Sequence, residues 1–299
     1  MGSKPNFGEV LTMAVPRALA SLWIGGPLGF LEVLCLKAMV HFGHDVTLYS
    51  YGPVANVPDG VVHKNAQDVF ACDFILVHQR TLTPSAHSDI FRLKLMQQTD
   101  DIWVDLDFLL IRPLDLTNTF VFAPELEDRP DYIGNSVFRL PAESRTLAAC
   151  LQVGQTALDG VGDAPFAAQV STDCFGTNLP ALGLTMGISD LGPALISRHL
   201  KATEEDQHRL PRHSFYPIGI NALRCLIEEP KADIDAVLGD DVYGVHMWAT
   251  RFKHFLAPNR MKNLSRKMAG TWLIDQCEKY DVTINDLPAL KPDERVGTR

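Results

Sequence analysis

Two aspartates one residue apart, Asp105 and Asp107, close the apolar run Ile102-Trp103-Val104 in the segment IWVDLDFLLIRPLD. A bend behind such a run turns alternate side chains toward one face, where two carboxylate oxygens can share a hard divalent cation such as Mn2+ or Mg2+. A cation held there neutralises charge on phosphate oxygens without needing a proton. Alternating aspartates at a strand end also serve simply to solvate a turn, so the pair alone does not decide. Sixteen residues before Asp105 stands Asp89, itself three residues ahead of Arg92. A guanidinium so placed can pair with its helical neighbour, bind phosphate, or orient nearby carboxylates.

These residues need a scaffold that carries them to one edge. The run Leu19 to Ile24, closed by Gly25-Gly26-Pro27, predicts a strand, and apolar residues at helical spacing from Phe30 to Phe42 predict a helix. With a second strand at Asp45 to Tyr49, the first 63 residues predict a βαβ unit and hence a parallel sheet. Ser88 to Gln98 predicts a helix capped by Ser88, and Ile102 to Val104 a short strand. Asp105 is then expected at the carboxyl end of a parallel strand, the edge at which open α/β sheets bind ligands. Further strands are expected at Phe108 to Ile111, Phe120 to Ala123 and Tyr132 to Leu140, with a helix at Ala142 to Leu158. Frequent turn residues predict a loop-rich stretch from Gly160 to Pro217. DVYGVHMW, residues 241 to 248, predicts a late strand carrying His246, and Ala269 to Tyr280 a last helix.

The 299 residues carry 27 basic and 36 acidic side chains, a net charge of -9 that offers no general attraction to a polyanion and argues against nucleic-acid binding. Hydrophobic residues make up 46%, enough for one large core or two modest ones. Six cysteines at 35, 72, 150, 174, 225 and 277 form no CxxC pair and are expected as thiols in a reducing compartment. No signal peptide or membrane span is expected, and Asn6 stands where a myristoylation signal wants Ser or Thr. Arg251 to Lys267 holds six basic residues and no acidic one, which reads as a solvated basic face or as a surface for anionic lipid headgroups.

The segment HSDIFRLKLMQQTDDIWVDLDFLLIRPLD resembles the signature of the DXD sugar-transferase family, which includes bacterial capsular and outer-polysaccharide transferases, α-1,4-galactosyltransferases and initiating mannosyltransferases. Ser88-Asp89 with Arg92 is similar to that family's SDxxR helix, an arrangement also found in the large glucosylating toxins. The opening SLWIGGPLGFLEVLCLKAMVHFGHDVTLYSY resembles the family's first strand and helix, and DVYGVHMW its late motif. The resemblance implies a GT-A type α/β fold with a Rossmann-like, mostly parallel central sheet flanked by helices and a loop-rich acceptor region. It also implies transfer of a hexose or N-acetylhexosamine from a nucleotide-diphosphate sugar, a UDP-sugar foremost, to a sugar hydroxyl with retention. By the same resemblance Asp105, Asp107 and His246 would hold Mn2+ or Mg2+, and Asp89 and Arg92 the donor sugar and its surroundings. Trp23, Ile24 and Gly25 would form the loop that receives the base, with Trp23 either stacking there or serving as a core residue. Asn135 and Ser136 of YIGNSVFRLP would face the sugar, Trp248 would pack under the donor, and Arg251 or Lys253 of the basic stretch would touch the diphosphate.

On this reading residues 1–283 form one domain, with a donor part about 15–140, an acceptor part about 141–255, a helical part 256–283 and a tail 284–299. The acceptor would be a saccharide or a lipid-linked saccharide, and the location cytoplasmic, with peripheral contact at an anionic inner membrane face. The family's Thr-Gly-Pro is matched only by Gly192-Pro193, since Leu191 replaces the threonine, and Asp100-Asp101 replaces the usual paired glycine. Two other readings compete: a sugar-nucleotide-binding protein without turnover, and a haloacid-dehalogenase-like phosphohydrolase. The latter wants its DxD on the first core strand with Thr or Val two residues later, where Leu109 stands here.

Overall fold

The computed structural model describes residues 17–78, 83–160, 175–184, 190–255 and 269–284. In chain order the elements are β1 (Leu19–Trp23), α1 (Phe30–His41), β2 (Val46–Ser50), β3 (Val61–Asn65), β4 (Ile75–His78), α2 (Ser85–Gln98), β5 (Ile102–Val104), β6 (Phe108–Leu110), β7 (Val121–Pro124), β8 (Ile133–Arg139), α3 (Arg145–Asp159), β9 (Ala181–Leu184), α4 (Pro193–Thr203), α5 (Cys225–Glu228), α6 (Lys231–Asp235), β10 (Gly244–His246), α7 (Ala249–Phe255) and α8 (Trp272–Lys279). The predicted βαβ unit is present: β1 and β2 are parallel and joined through α1.

The chain is mixed α/β, built on a six-stranded sheet in the order β3-β2-β1-β5-β8-β7. The first four strands are mutually parallel, while β8 and β7 run antiparallel to their neighbours. Side-chain alternation along the strands builds a core on each face. Leu19, Leu48, Ile102, Val104 and Val137 pack with Leu31, Leu34 and Cys35 of α1. Ala20, Tyr49, Trp103 and Phe138 pack with Phe91 of α2, Leu147 of α3 and Leu195 of α4. Each such large side chain removed from water contributes about 2 kcal/mol, which fixes the strands that carry the candidate residues.

Three departures from the sequence reading bear on the site. Helix α2 begins at Ser85, with Pro84 at its cap position, so Ser88 lies inside the helix and its hydroxyl accepts from Arg92 Nη2 at 3.3 Å. The stretch expected to be loop-rich contains α4, whose start is set by Pro193 in the first turn and whose buried face is Leu195, Ile196 and Leu200. The late strand is only three residues long and belongs to a separate antiparallel pair, β10 with β6, in which His246 lies opposite Phe108. Gly244 in that pair has no room for a side chain, because a Cβ there would stand 2.4 Å from the Phe108 ring and 2.6 Å from the Leu109 carbonyl oxygen. Cys35, Cys72, Cys150, Cys225 and Cys277 carry free thiols, while Cys174 lies outside the described residues. Among the described residues no helix is long and apolar enough to cross a membrane.

The N-terminus of α3 is closed by a carboxylate from far along the chain. Glu205 accepts from the Ser144 hydroxyl at 2.6 Å and from the backbone N–H groups of Arg145 and Thr146 at 2.9 and 3.0 Å, while Ser144 Oγ accepts from Leu147 N. Burial would raise the Glu205 carboxyl, but these donors outweigh it and hold it below the usual glutamate range. The stabilisation is therefore complete above the unfolded-state value, about 4.3, and is lost as pH falls through the lower folded-state value. Glu205→Gln is expected to cost about 1.5–3 kcal/mol at neutral pH and much less near pH 3, as read from urea midpoints at the two pH values. An equal cost at both would show that the charge is not what holds the cap.

Candidate functional site

Asp105 leaves β5 with its N–H donated to the Ser136 carbonyl at 2.7 Å, and the Phe108 N–H turns back onto the Asp105 carbonyl at 3.0 Å. That tight turn projects Asp107 toward β10, where Met247 N donates to the Asp107 carbonyl at 2.8 Å. The result is a cluster of Asp105, Asp107 and His246 whose ligating atoms all lie within 4.8 Å of one another. His246 Nε2 is 3.3 Å from Asp107 Oδ1. The other Asp107 oxygen accepts from Ala249 N, the first residue of α7, at 2.7 Å. Trp103 Nε1 donates to Asp105 Oδ1 at 2.7 Å.

The donor set of two carboxylates and one imidazole fits Mn2+ or Mg2+. The buried His246 Nδ1 makes no hydrogen bond to the protein, which leaves one imidazole nitrogen with capacity for a ligand. Burial would lower the His246 pKa, yet the negative charges of Asp107, Asp105 and Glu125 outweigh it and the net shift is upward. Burial raises the Asp105 carboxyl; Arg92 opposes this and Asp107 adds to it. Two like charges held this close to an imidazole form a site that gains from positive charge.

Arg92, with its side chain 6% exposed, joins the cluster to α2. Its Nη2 lies 3.4 Å from both Asp89 Oδ1 and Asp105 Oδ1, its Nη1 donates to the Asn135 carbonyl, and the guanidinium stacks 4.6 Å over the Trp103 ring. Asp89 also accepts from Asn135 Nδ2 at 3.0 Å. Gly192, at the start of α4, presses on the same carboxylate: a Cβ there would stand 2.6 Å from Asp89 Oδ2. Burial raises the Asp89 carboxyl against the pull of Arg92 and Asn135. Ser136 points to the other side of β8, where its hydroxyl is 2.8 Å from Tyr216 Oη. Gly134 makes room for that phenol, since a Cβ at 134 would stand 2.1 Å from Tyr216 Oη.

A cleft of about 360 Å³ opens over these residues, walled by Trp23, Ile24, Glu32, Arg92, Asp105 and Asp107 among others. Trp23 folds over its own loop, with Nε1 donating to the Gly26 carbonyl at 2.7 Å and the indole 3.0 Å from the position a Cβ at Gly25 would take. Trp248 adopts a left-handed backbone, φ 41°, packs 4.2 Å from the His246 ring and donates Nε1 to Glu125 Oε1 at 2.8 Å. The structure thus gathers Trp23, Ile24, Arg92, Asp105 and Asp107 at one cleft with Asp89, Asn135 and His246 directly behind it, while Ser136 and Trp248 turn toward Tyr216 and Glu125. Lys253 falls on α7 with its side chain outside the described part, as does most of the basic stretch from Arg251 to Lys267.

Glu32, Glu125 and Tyr216 went unmarked in the sequence. Glu32 is the third residue of α1 after Gly29 and looks like any acidic residue at a helix start, yet it is buried and lines the cleft. Tyr216 and Glu125 reach the cluster from segments with no periodic pattern, and nothing local distinguishes them.

No family model matches the chain, and no curated protein matches it. Among solved structures, one titled "PaToxG Glycosyltransferase" is similar at a TM-score of 0.42 and 9% sequence identity, covering 87% of each chain.

Proposed function

We propose that this protein is a metal-dependent glycosyltransferase that moves a hexose or N-acetylhexosamine from a nucleotide-diphosphate sugar, a UDP-sugar foremost, to a sugar hydroxyl with retention. The observation that carries the reading is the Asp105, Asp107 and His246 cluster at the carboxyl edge of the parallel strands, opening into a cleft beside the buried Arg92. A bound divalent cation would supply charge neutralisation to the departing diphosphate. Asp105 and Asp107 offer it one oxygen each, since the second Asp107 oxygen is taken by Ala249 N.

Arg92 opposes the burial that raises the Asp105 carboxyl and holds it through an electrostatic contact at 3.4 Å, and Asp89 with Asn135 fixes the guanidinium from behind. Asp89 is thereby a positioning residue for Arg92. Trp23 presents an indole already tied to its own loop, a wall against which a nucleotide base can stack with little ordering cost. Retention without a covalent intermediate would run by front-face departure, with the leaving diphosphate taking the acceptor proton.

The test is release of nucleoside diphosphate from a panel of UDP-sugars with Mn2+, run beside phosphate release from a phosphomonoester. Manganese-dependent nucleoside diphosphate is the expected product. Phosphate release alone would indicate a phosphohydrolase, and donor-dependent thermal stabilisation without turnover a binding protein. An inverted anomeric centre in the product would remove the retaining part of the reading.

A further inference from the structure

Between the segment that enters β8 and helix α4, a recess of about 220 Å³ is bordered by Arg129, Arg198 and Lys201, with Tyr132 and Ser197 between them and Asp131 as its one acid. Three cations against one carboxylate leave a local charge of two positives in a chain whose net charge is -9, so this is a local reversal of the protein's field. None of the three cations is in an ion pair among the described residues; Arg129 instead stacks 4.6 Å over the Tyr132 ring, which holds its guanidinium at the rim. Arg198 and Lys201 stand three apart on α4, where like charges repel unless an anion lies between them.

The recess is connected to the cleft by rigid elements. Helix α4 starts at Gly192 against the Asp89 carboxylate, and five residues on, about 7 Å of helix rise, Ser197 Oγ accepts from Ile133 N at 2.8 Å. Ile133 is two residues along β8 from Asn135, the partner of Asp89. We propose that this recess binds a phosphate group, and that in the working enzyme the phosphate belongs to the acceptor. Two forked guanidiniums and an ammonium suit a phosphate dianion better than a neutral hydroxyl surface. The acceptor role rests on the glycosyltransferase reading; occupancy by phosphate does not.

The full chain titrated with inorganic phosphate in EDTA, followed by calorimetry, is expected to show saturable one-to-one binding. Arg198→Gln combined with Lys201→Gln, both on the exposed face of α4, is expected to weaken it at least ten-fold. Nucleoside diphosphate release from a UDP-sugar into water should stay within two-fold of the unchanged protein. For transfer, the double variant is expected to raise KM for a phosphorylated acceptor ten-fold with kcat unchanged. Glucose 1-phosphate and vesicles containing a polyprenyl phosphate separate a soluble source of the phosphate from a lipid-linked one. No saturable binding, or equal binding by the variant, overturns the recess. Phosphate binding with no nucleoside diphosphate released from any donor overturns the acceptor role and points to failure of the glycosyltransferase reading instead.

Discussion

If the proposed reaction holds, Asp107→Ala is expected to lower manganese-dependent release of nucleoside diphosphate by about three orders of magnitude, and Arg92→Lys by far less. The asymmetry follows from what each side chain holds. Asp107 offers one oxygen toward His246 and gives the other to Ala249 N, so its removal strips the cluster of a ligand and releases the start of α7. Arg92→Lys keeps a positive charge near Asp89 and Asp105 but loses the fork that reaches both of them together with the Asn135 carbonyl. Manganese affinity measured directly by calorimetry should fall with Asp107→Ala and barely change with Arg92→Lys. Comparable residual rates in the two variants would count against Asp107 as the central ligand.

Arg92→Met is expected to destabilise the fold by about 3–5 kcal/mol, more than a change of shape alone would explain. Asp89 and Asp105 both look to this guanidinium, and Asp89 is almost wholly buried. With the guanidinium gone, Asp89 keeps the Asn135 amide and Asp105 keeps the Trp103 indole N–H and the nearby His246, while the stacking on Trp103 is lost. Urea unfolding followed by circular dichroism gives the magnitude, and Arg92→Lys should recover part of it. A loss under about 1 kcal/mol for the methionine variant would mean that water already compensates these carboxylates in the native protein.

The elements with strong local pattern were readable from the chain. The apolar run from Leu19, closed by Gly25-Gly26-Pro27, and the helical spacing from Phe30 announce β1 and α1, and Ile102 to Val104 announces the strand that delivers Asp105. Meeting of Asp105, Asp107 and His246 was legible only through the resemblance, because 139 residues separate Asp107 from His246 and the pairing of β6 with β10 leaves no periodic trace. Helix α4 carried a readable start at Pro193, but the surrounding turn residues masked it. Ser88 was misplaced as a cap because its hydroxyl type suits one, whereas the chain enters the helix three residues earlier and Arg92 claims that hydroxyl. Glu32, Glu125 and Tyr216 matter through tertiary proximity alone, which no window of neighbours encodes.

Efforts to stiffen this sheet by directed evolution would meet a wall at Gly134. A glycine inside a strand is ordinarily an easy target, since a branched replacement reduces the freedom of the unfolded chain and suits a pleated surface. Here the missing methyl is the room occupied by Tyr216 Oη, so even alanine must expel the phenol and with it the partner of Ser136. Position 134 is therefore forecast to tolerate no substitution in a saturation library unless a second change shortens residue 216.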